Sequence, residues 1–329
     1  MFFNFFASKA IILMYHRIAE SDVDPWQLSV QPQLFEQQLQ IIKKNWNVIS
    51  LEELQYGIAA GKVKNRSIVI TFDDGYLDNY TTAKPLLEKY ALPATFFITT
   101  KNIGSKRVFW WDDLQNLVFT IDLPPKLVLN FDDRSFSFDL ADEGKLTPAL
   151  KLKNQQFSAY NGFTTLRSKL YYKLWELLQS HNEMERENLM QKLREWANYN
   201  GSKDSGYLSM SEEHICDMAS NKLFTLGGHT TNHPSLPFYD KDSQLEEIVN
   251  NKNFLERITN RSVFYFAYPS GLYNDVTVEC VKAAGFRLAV TTNHSPVFKG
   301  TNPYQLGRFQ VDNLNQKLFT DKLKLWFKS

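Results

Sequence analysis

The feature that most constrains this chain is a series of short β-prone runs, apolar on both faces and separated by stretches of helical periodicity. The runs fall at 10–15, 47–50, 67–72 (SIVITF), 94–100 (ATFFITT), 223–227 (LFTLG), 263–268 (VFYFAY), 287–292 (RLAVTT) and 307–311 (GRFQV). A strand with one wet face alternates apolar and polar residues, so strands lacking that alternation need cover on both sides. Helical patterns at 31–44, 77–90, 240–259 and 274–284 supply the cover, the last closing on Gly285 as the residue beyond the helix end. This βαβ rhythm predicts an α/β fold with a parallel sheet, and seven or eight such strands predict closure into a barrel.

One region breaks the rhythm. Between about 104 and 210 lie an aromatic segment (VFWWDDL), a hairpin pattern (LVLNFDDRSFSFDL) and two charged helical stretches, 163–180 and 183–197. No repeat, low-complexity tract or Pro/Gly-rich linker separates it, so the expectation is one domain, 1–329, carrying an α+β insertion. With 37 Lys and Arg against 36 Asp and Glu, the formal charge of +1 offers no bulk attraction for nucleic acid or anionic membranes. The two cysteines, Cys216 and Cys280, stand in no metal-type spacing and are expected to be small buried residues. The N-terminal MFFNFF carries no basic segment, and no run is long enough to span a bilayer. The expectation is therefore cytoplasmic action, with an unrecognised export route left open and MFFNFF packed on the domain or resting on a membrane surface.

The chemistry starts at Asp73 and Asp74, adjacent carboxylates at the C-terminal end of SIVITF and followed by Gly75. Barrels place their active sites at that end of the strands, and two like charges there need a cation or a proton to offset their repulsion. DDG is also a common turn sequence. Downstream, GGHTTNHPSL presents His229 and His233, with Thr230, Thr231 and Pro234 favouring a turn over a long helix. Two imidazoles and a carboxylate form the ligand set of an open hydrolytic metal site.

TFDDGY with HTTNHP resembles the first two motifs of the NodB-homology polysaccharide deacetylases, metal-dependent enzymes that remove N-acetyl groups from amino sugars on an irregular (β/α) barrel. The resemblance extends to ILMYHRI, to KPLLEKYALPATFFITT and to FAYPSGLYN, about two thirds of the chain. It implies that Asp73 is the general base and that Asp74, His229 and His233 hold a divalent metal. Zinc suits those ligands, and cobalt or nickel would also be accepted. His16, in an N-terminal YH, resembles the general acid of family variants with permuted motif order; His294, also after a strand, is the second candidate. The backbone N–H of Ser270, after Pro269, matches an oxyanion donor.

The pattern also departs from the family. Where many members carry an arginine two residues before the proline, this chain has Ala267, and Arg308 or Arg17 could supply the charge from another strand end. Tyr268 and Tyr76 are expected to line the pocket. Trp110 and Trp111 are expected either to stack on sugar rings or to pack in a core, with Asp112 and Asp113 contacting sugar or capping the next helix. His181 and His214 read as surface residues. The resulting expectation is N-deacetylation of an amino sugar in bacterial surface polysaccharide. A deformylase of a lipid-linked formamido sugar and a non-catalytic carbohydrate binder remain open.

Overall fold

The computed structural model of the chain describes residues 8–131, 134–201 and 205–329, so the MFFNFF segment lies outside the described residues. In chain order the elements are β1 (Ala10–Tyr15), α1 (Pro32–Asn45), β2 (Asn47–Val48), α2 (Leu51–Ala59), β3 (Ser67–Phe72), α3 (Lys84–Lys89) and β4 (Ala94–Ile98). Next come α4 (Trp110–Thr120), β5 (Lys126–Phe131), β6 (Arg134–Asp139), α5 (Pro148–Gln155), α6 (Leu166–Gln179) and α7 (Glu183–Trp196). The chain ends with α8 (Glu212–Ser220), β7 (Phe224–Gly228), α9 (Lys241–Thr259), β8 (Tyr265–Ala267), α10 (Asp275–Ala283), β9 (Leu288–Val290), β10 (Phe309–Gln310) and α11 (Gln316–Trp326).

The chain divides into two compact units. The first comprises residues up to Glu20, Leu28–Ser105 and Ser209–Ser329; the second comprises Ser21–Gln27 with Lys106–Leu208. The first unit is built on one parallel sheet of order β10-β1-β3-β4-β7-β8-β9, with β2 alongside β3. Its edges are linked by a bridge between Val290 and Leu306, which gives the curled, irregular barrel.

Both-face burial follows directly from the strand sequences. Ile11, Leu13, Tyr15, Ile68, Ile70 and Phe72 point into the core shared with Phe35, Leu39 and Ile42 of α1. The alternate positions Ala10, Ile12, Val69, Phe97, Ala267, Leu288 and Val290 form a second core closed by Leu51 and Leu54 of α2. Every strand residue from Ala10 to Tyr15 and from Ser67 to Phe72 is buried, as expected of strands covered on both sides.

Several boundaries differ from the sequence reading. The strands at 94–100, 263–268, 287–292 and 307–311 are shorter than predicted, because the chain leaves the ladder at their ends to build loops. The helix predicted at 77–90 is interrupted by a π-helix, Asn79–Ala83, before α3. Pro85 explains it: proline has no N–H, and its ring collides with the carbonyl four residues back, which a wider turn relieves. Gly285, at φ +82°, follows the C-cap of α10 as predicted. Helix α2 was not anticipated, although Ser50 and Glu53 form a capping box at its start.

The second unit has its own core, including Leu114, Leu117, Leu170, Leu174, Met190 and Leu193. Strands β5 and β6 pair antiparallel from Lys126↔Asp139 to Phe131↔Arg134. The fully buried Arg167 donates to the carbonyls of Val118 and Ile121 and so satisfies the C-terminal end of α4. No helix among the described residues is long and apolar enough to cross a membrane.

Candidate active site at the strand ends

The loop after β3 is pinned before any side-chain chemistry is considered. The Asp73 N–H donates to the Tyr15 carbonyl at 3.0 Å, the Thr99 N–H to the Asp74 carbonyl at 3.3 Å and the Met210 N–H to the Gly75 carbonyl at 3.0 Å. Asp74 is left-handed at φ +74°. Thr230, His233 and Ser270, on the loops after β7 and β8, share that conformation at +64°, +54° and +54°. Such backbone costs about 1–3 kcal/mol per residue and gathers where side chains must be aimed.

Asp74, His229 and His233 converge. One ligand atom from each lies within 4.8 Å of the others. His229 Nε2 is 3.4 Å and His233 Nε2 3.6 Å from Asp74 Oδ1, and that oxygen is buried with no hydrogen-bond partner among the described residues. An orphaned carboxylate oxygen facing two imidazole nitrogens is costly unless a cation occupies the gap, so the residues fit a divalent metal. The His229 Nδ1–H donates to the Ala267 carbonyl at 2.8 Å, which leaves Nε2 free as a ligand. Burial raises the Asp74 carboxyl, but the neighbouring histidines outweigh it and hold the group at about 2. Burial lowers His229, and the two aspartates overcome that to raise it above its ordinary value.

Asp73 faces Arg308. The guanidinium grips the carboxylate with both ends, Nη1 to Oδ1 at 2.7 Å and Nη2 to Oδ2 at 2.6 Å. It also donates to Thr71 Oγ1 at 3.2 Å and to the Thr291 carbonyl at 2.9 Å. Arg308 is fully buried and Asp73 nearly so. Burial pushes the Asp73 carboxyl up, and Arg308 with His229 more than reverses this, keeping it below the usual carboxylate range. Of the two arginines offered for the Ala267 vacancy, Arg308 meets Asp73, whereas Arg17 pairs with Asp78 at 3.2 Å.

His16 follows β1, and a positive charge on it is among the influences that lower the Asp73 and Asp74 carboxyls. His294 is exposed, with its ring stacked on Phe309. Ser270 is exposed on a 3-10 turn whose next residue, Gly271 at φ +69°, leaves room for Thr292.

Tyr268 and Tyr76, expected to line the pocket, are placed otherwise, and Trp110 and Trp111 take the core alternative. Tyr268 is fully buried and donates its hydroxyl to the Tyr304 carbonyl, so it belongs to the barrel core. Tyr76 is fully buried beneath the Arg17 guanidinium. Trp111 is buried in the second unit, stacked on Phe109, and Trp110 packs on that unit's core with Arg186 over its ring. Helix α4 already starts at Trp110, so Asp112 and Asp113 are buried first-turn residues rather than caps, and Asp113 pairs with Arg194 at 2.8 Å. Three smaller expectations also shift: Cys216 is half-buried, and so are His181, against the Leu177 carbonyl, and His214, stacked on Tyr80.

Other residues that build the site went unnoticed in the sequence. Asn251 of α9 accepts from the His229 N–H at 3.2 Å and donates to the carbonyls of Ile98 and Thr230 at 2.9 and 2.6 Å. One turn earlier, Glu247 accepts from the N–H groups of Thr231 and Asn232 at 3.1 and 2.9 Å. The available signal was an amide in the buried stripe Gln244, Ile248, Asn251 and Leu255, where packing alone favours apolar residues.

A parallel barrel carrying a carboxylate pair and two histidines at its strand ends has the make-up of a hydrolase. The polysaccharide deacetylase family profile matches residues 60–121 and 192–289, which include Asp73, Asp74, His229 and His233. YxkH of Bacillus subtilis (strain 168), described provisionally as a polysaccharide deacetylase, is 20% identical over 306 residues, 92% of this chain and 72% of its own length. The poly-β-1,6-N-acetyl-D-glucosamine N-deacetylase of Staphylococcus aureus (strain MSSA476) is 32% identical over 112 residues, 30% of this chain and 39% of that protein. The deacetylase PplD of Streptococcus pyogenes, solved in complex with acetate, shares the fold at a TM-score of 0.59 and 20% identity, with 96% of this chain and 99% of that one covered. IcaB from Ammonifex degensii does so at 0.59 and 18%, with 98% of each covered.

Proposed function

We propose that this chain is a divalent-metal-dependent N-deacetylase that hydrolyses the N-acetyl group of an amino sugar in a bacterial surface polysaccharide and releases acetate. The observation that carries the reading is the buried Asp74 Oδ1, without a hydrogen-bond partner among the described residues, facing His229 and His233 beside the Asp73–Arg308 pair. Asp74, His229 and His233 would hold the metal, with zinc the first choice for such ligands. A cation bound there supplies Lewis-acid polarisation of the amide carbonyl and lowers the pKa of a water.

The chain's own residues do the rest. Arg308 keeps Asp73 ionised and aimed, so that its carboxylate takes the proton of the water that adds to the carbonyl carbon. The Ser270 N–H donates to the oxyanion, and His16 returns a proton to the departing amine, so the products are acetate and a free amino sugar. The noncatalytic reading drew on the absent motif arginine; Arg308, engaging both oxygens of Asp73, removes that reason. Resemblance to the staphylococcal N-deacetylase supports an N-acetylglucosamine polymer as the substrate class.

The test is acetate release from N-acetylglucosamine oligomers by protein stripped with a chelator and reloaded with zinc or cobalt. Metal-dependent acetate is the expected result. Formate from formamido sugars with no acetate would make the chain a deformylase, and metal binding without hydrolysis would leave a carbohydrate binder.

A further inference from the structure

His16 sits on the turn beyond β1, and its Nδ1 is buried without a hydrogen-bond partner among the described residues. The segment around it, by contrast, is tethered at three points, two on the backbone and one on the Arg17 side chain, by two consecutive residues. Asn79 Nδ2 donates to the His16 carbonyl at 2.7 Å, the Ile18 N–H to Asp78 Oδ1 at 2.9 Å, and Arg17 Nε to Asp78 Oδ2 at 3.2 Å. Asn79 Nδ2 also donates to Asp78 Oδ1 at 3.0 Å, so the tethers brace each other. Arg17, Asp78 and Asn79 are all buried. A buried ion pair is weak evidence for stability, because desolvation offsets its attraction. Its geometric effect is plain: it ties residues 16–18 to the segment that carries Asp73 and Asp74. The tethers stand where the π-helix begins, a distortion that gathers at functional sites.

We propose that Asp78 and Asn79 are positioning residues for the reaction, holding His16 at a set distance from Asp73 and Asp74. The inference rests on the reading of His16 as proton donor to the amine. Without the tethers, the turn after β1 keeps its backbone bonds to Leu28 and Val30 but loses its ties to the segment after β3, and a donor displaced by about 1 Å costs about 100-fold in rate.

The experiment measures kcat, KM and zinc content for Asn79→Ala in the wild-type and His16→Ala backgrounds, together with the His16 ring 15N signal of the zinc-loaded protein. The expected result is a kcat lower by about 100-fold, with KM and zinc content held and the His16 signal displaced. In the His16→Ala background, Asn79→Ala should add nothing further, since both changes remove one function. An undiminished extra loss in that background, or an unmoved His16 signal, would overturn the proposal. Should Asn79→Ala fail to fold, Asp78→Asn keeps the side-chain shape, weakens the Arg17 tether and must give the same pattern at smaller size. Wild-type protein that releases no acetate would sink the catalytic reading, while the His16 signal still decides whether the tethers hold the ring.

Discussion

Arg308→Met isolates the most consequential ion pair in the site. The guanidinium is fully buried and gives Asp73 two short charge-assisted bonds, at 2.7 and 2.6 Å. Methionine fills much of the volume and strands the carboxylate, and breaking one side of a buried pair costs about 3–5 kcal/mol. That is a large share of the roughly 5–15 kcal/mol that holds a folded protein together. Replacing both partners, Arg308→Met with Asp73→Asn, removes both charges of the pair and should recover much of the loss, giving a strongly non-additive cycle. The pH dependence follows from the same pair. With Arg308 present, the folded Asp73 carboxyl lies below its unfolded value, so its stabilisation is full above about pH 4 and is lost as pH falls through the folded value. In the single variant burial dominates and pushes the carboxyl upward, so the deficit is greatest near neutrality and closes on acidification as Asp73 takes up a proton. Urea unfolding of metal-stripped protein, followed by circular dichroism at several pH values, reads all of this. A single-variant loss below about 1 kcal/mol, additive costs, or a deficit that widens toward acid would refute the reasoning.

Asp74→Ala should lose both metal and activity, whereas Asp73→Asn should retain zinc and lose about 100- to 10,000-fold in kcat; equal zinc loss in both would end the division of roles. Asn251→Ala should weaken zinc binding about 10- to 100-fold, read by competition with a chelating dye, because the His229 loop loses its anchor. Zinc binding to stripped protein should release protons, seen as a buffer-dependent heat in titration calorimetry, since His229 is raised above its ordinary value until a metal displaces its proton. Gly271→Ala should lower the melting temperature and kcat together, because its Cβ would stand 1.9 Å from Thr292 Oγ1 at a left-handed φ of +69°.

Much of this protein is legible along the chain. Runs such as AIILMY and SIVITF are apolar at every step, and only a strand covered on both faces buries them all, so the β1 and β3 bounds and the barrel class follow from local pattern. The carboxylate pair after β3 and the histidines after β7 are likewise local, since a strand end fixes where the next side chains point. The tertiary fold alone brings Arg308, 235 residues from Asp73 along the chain, onto both of its oxygens. Asn251 under the His229 loop and Asp78 beneath Arg17 depend on it equally. Tyr268 and Trp111 show the converse, where residues that suit a sugar pocket by type are spent on packing. The physical reason is one of range. Hydrophobic period and turn chemistry act over a few residues, but a hydrogen-bond partner is chosen by whichever strand or helix packs opposite, and that depends on how the whole sheet closes.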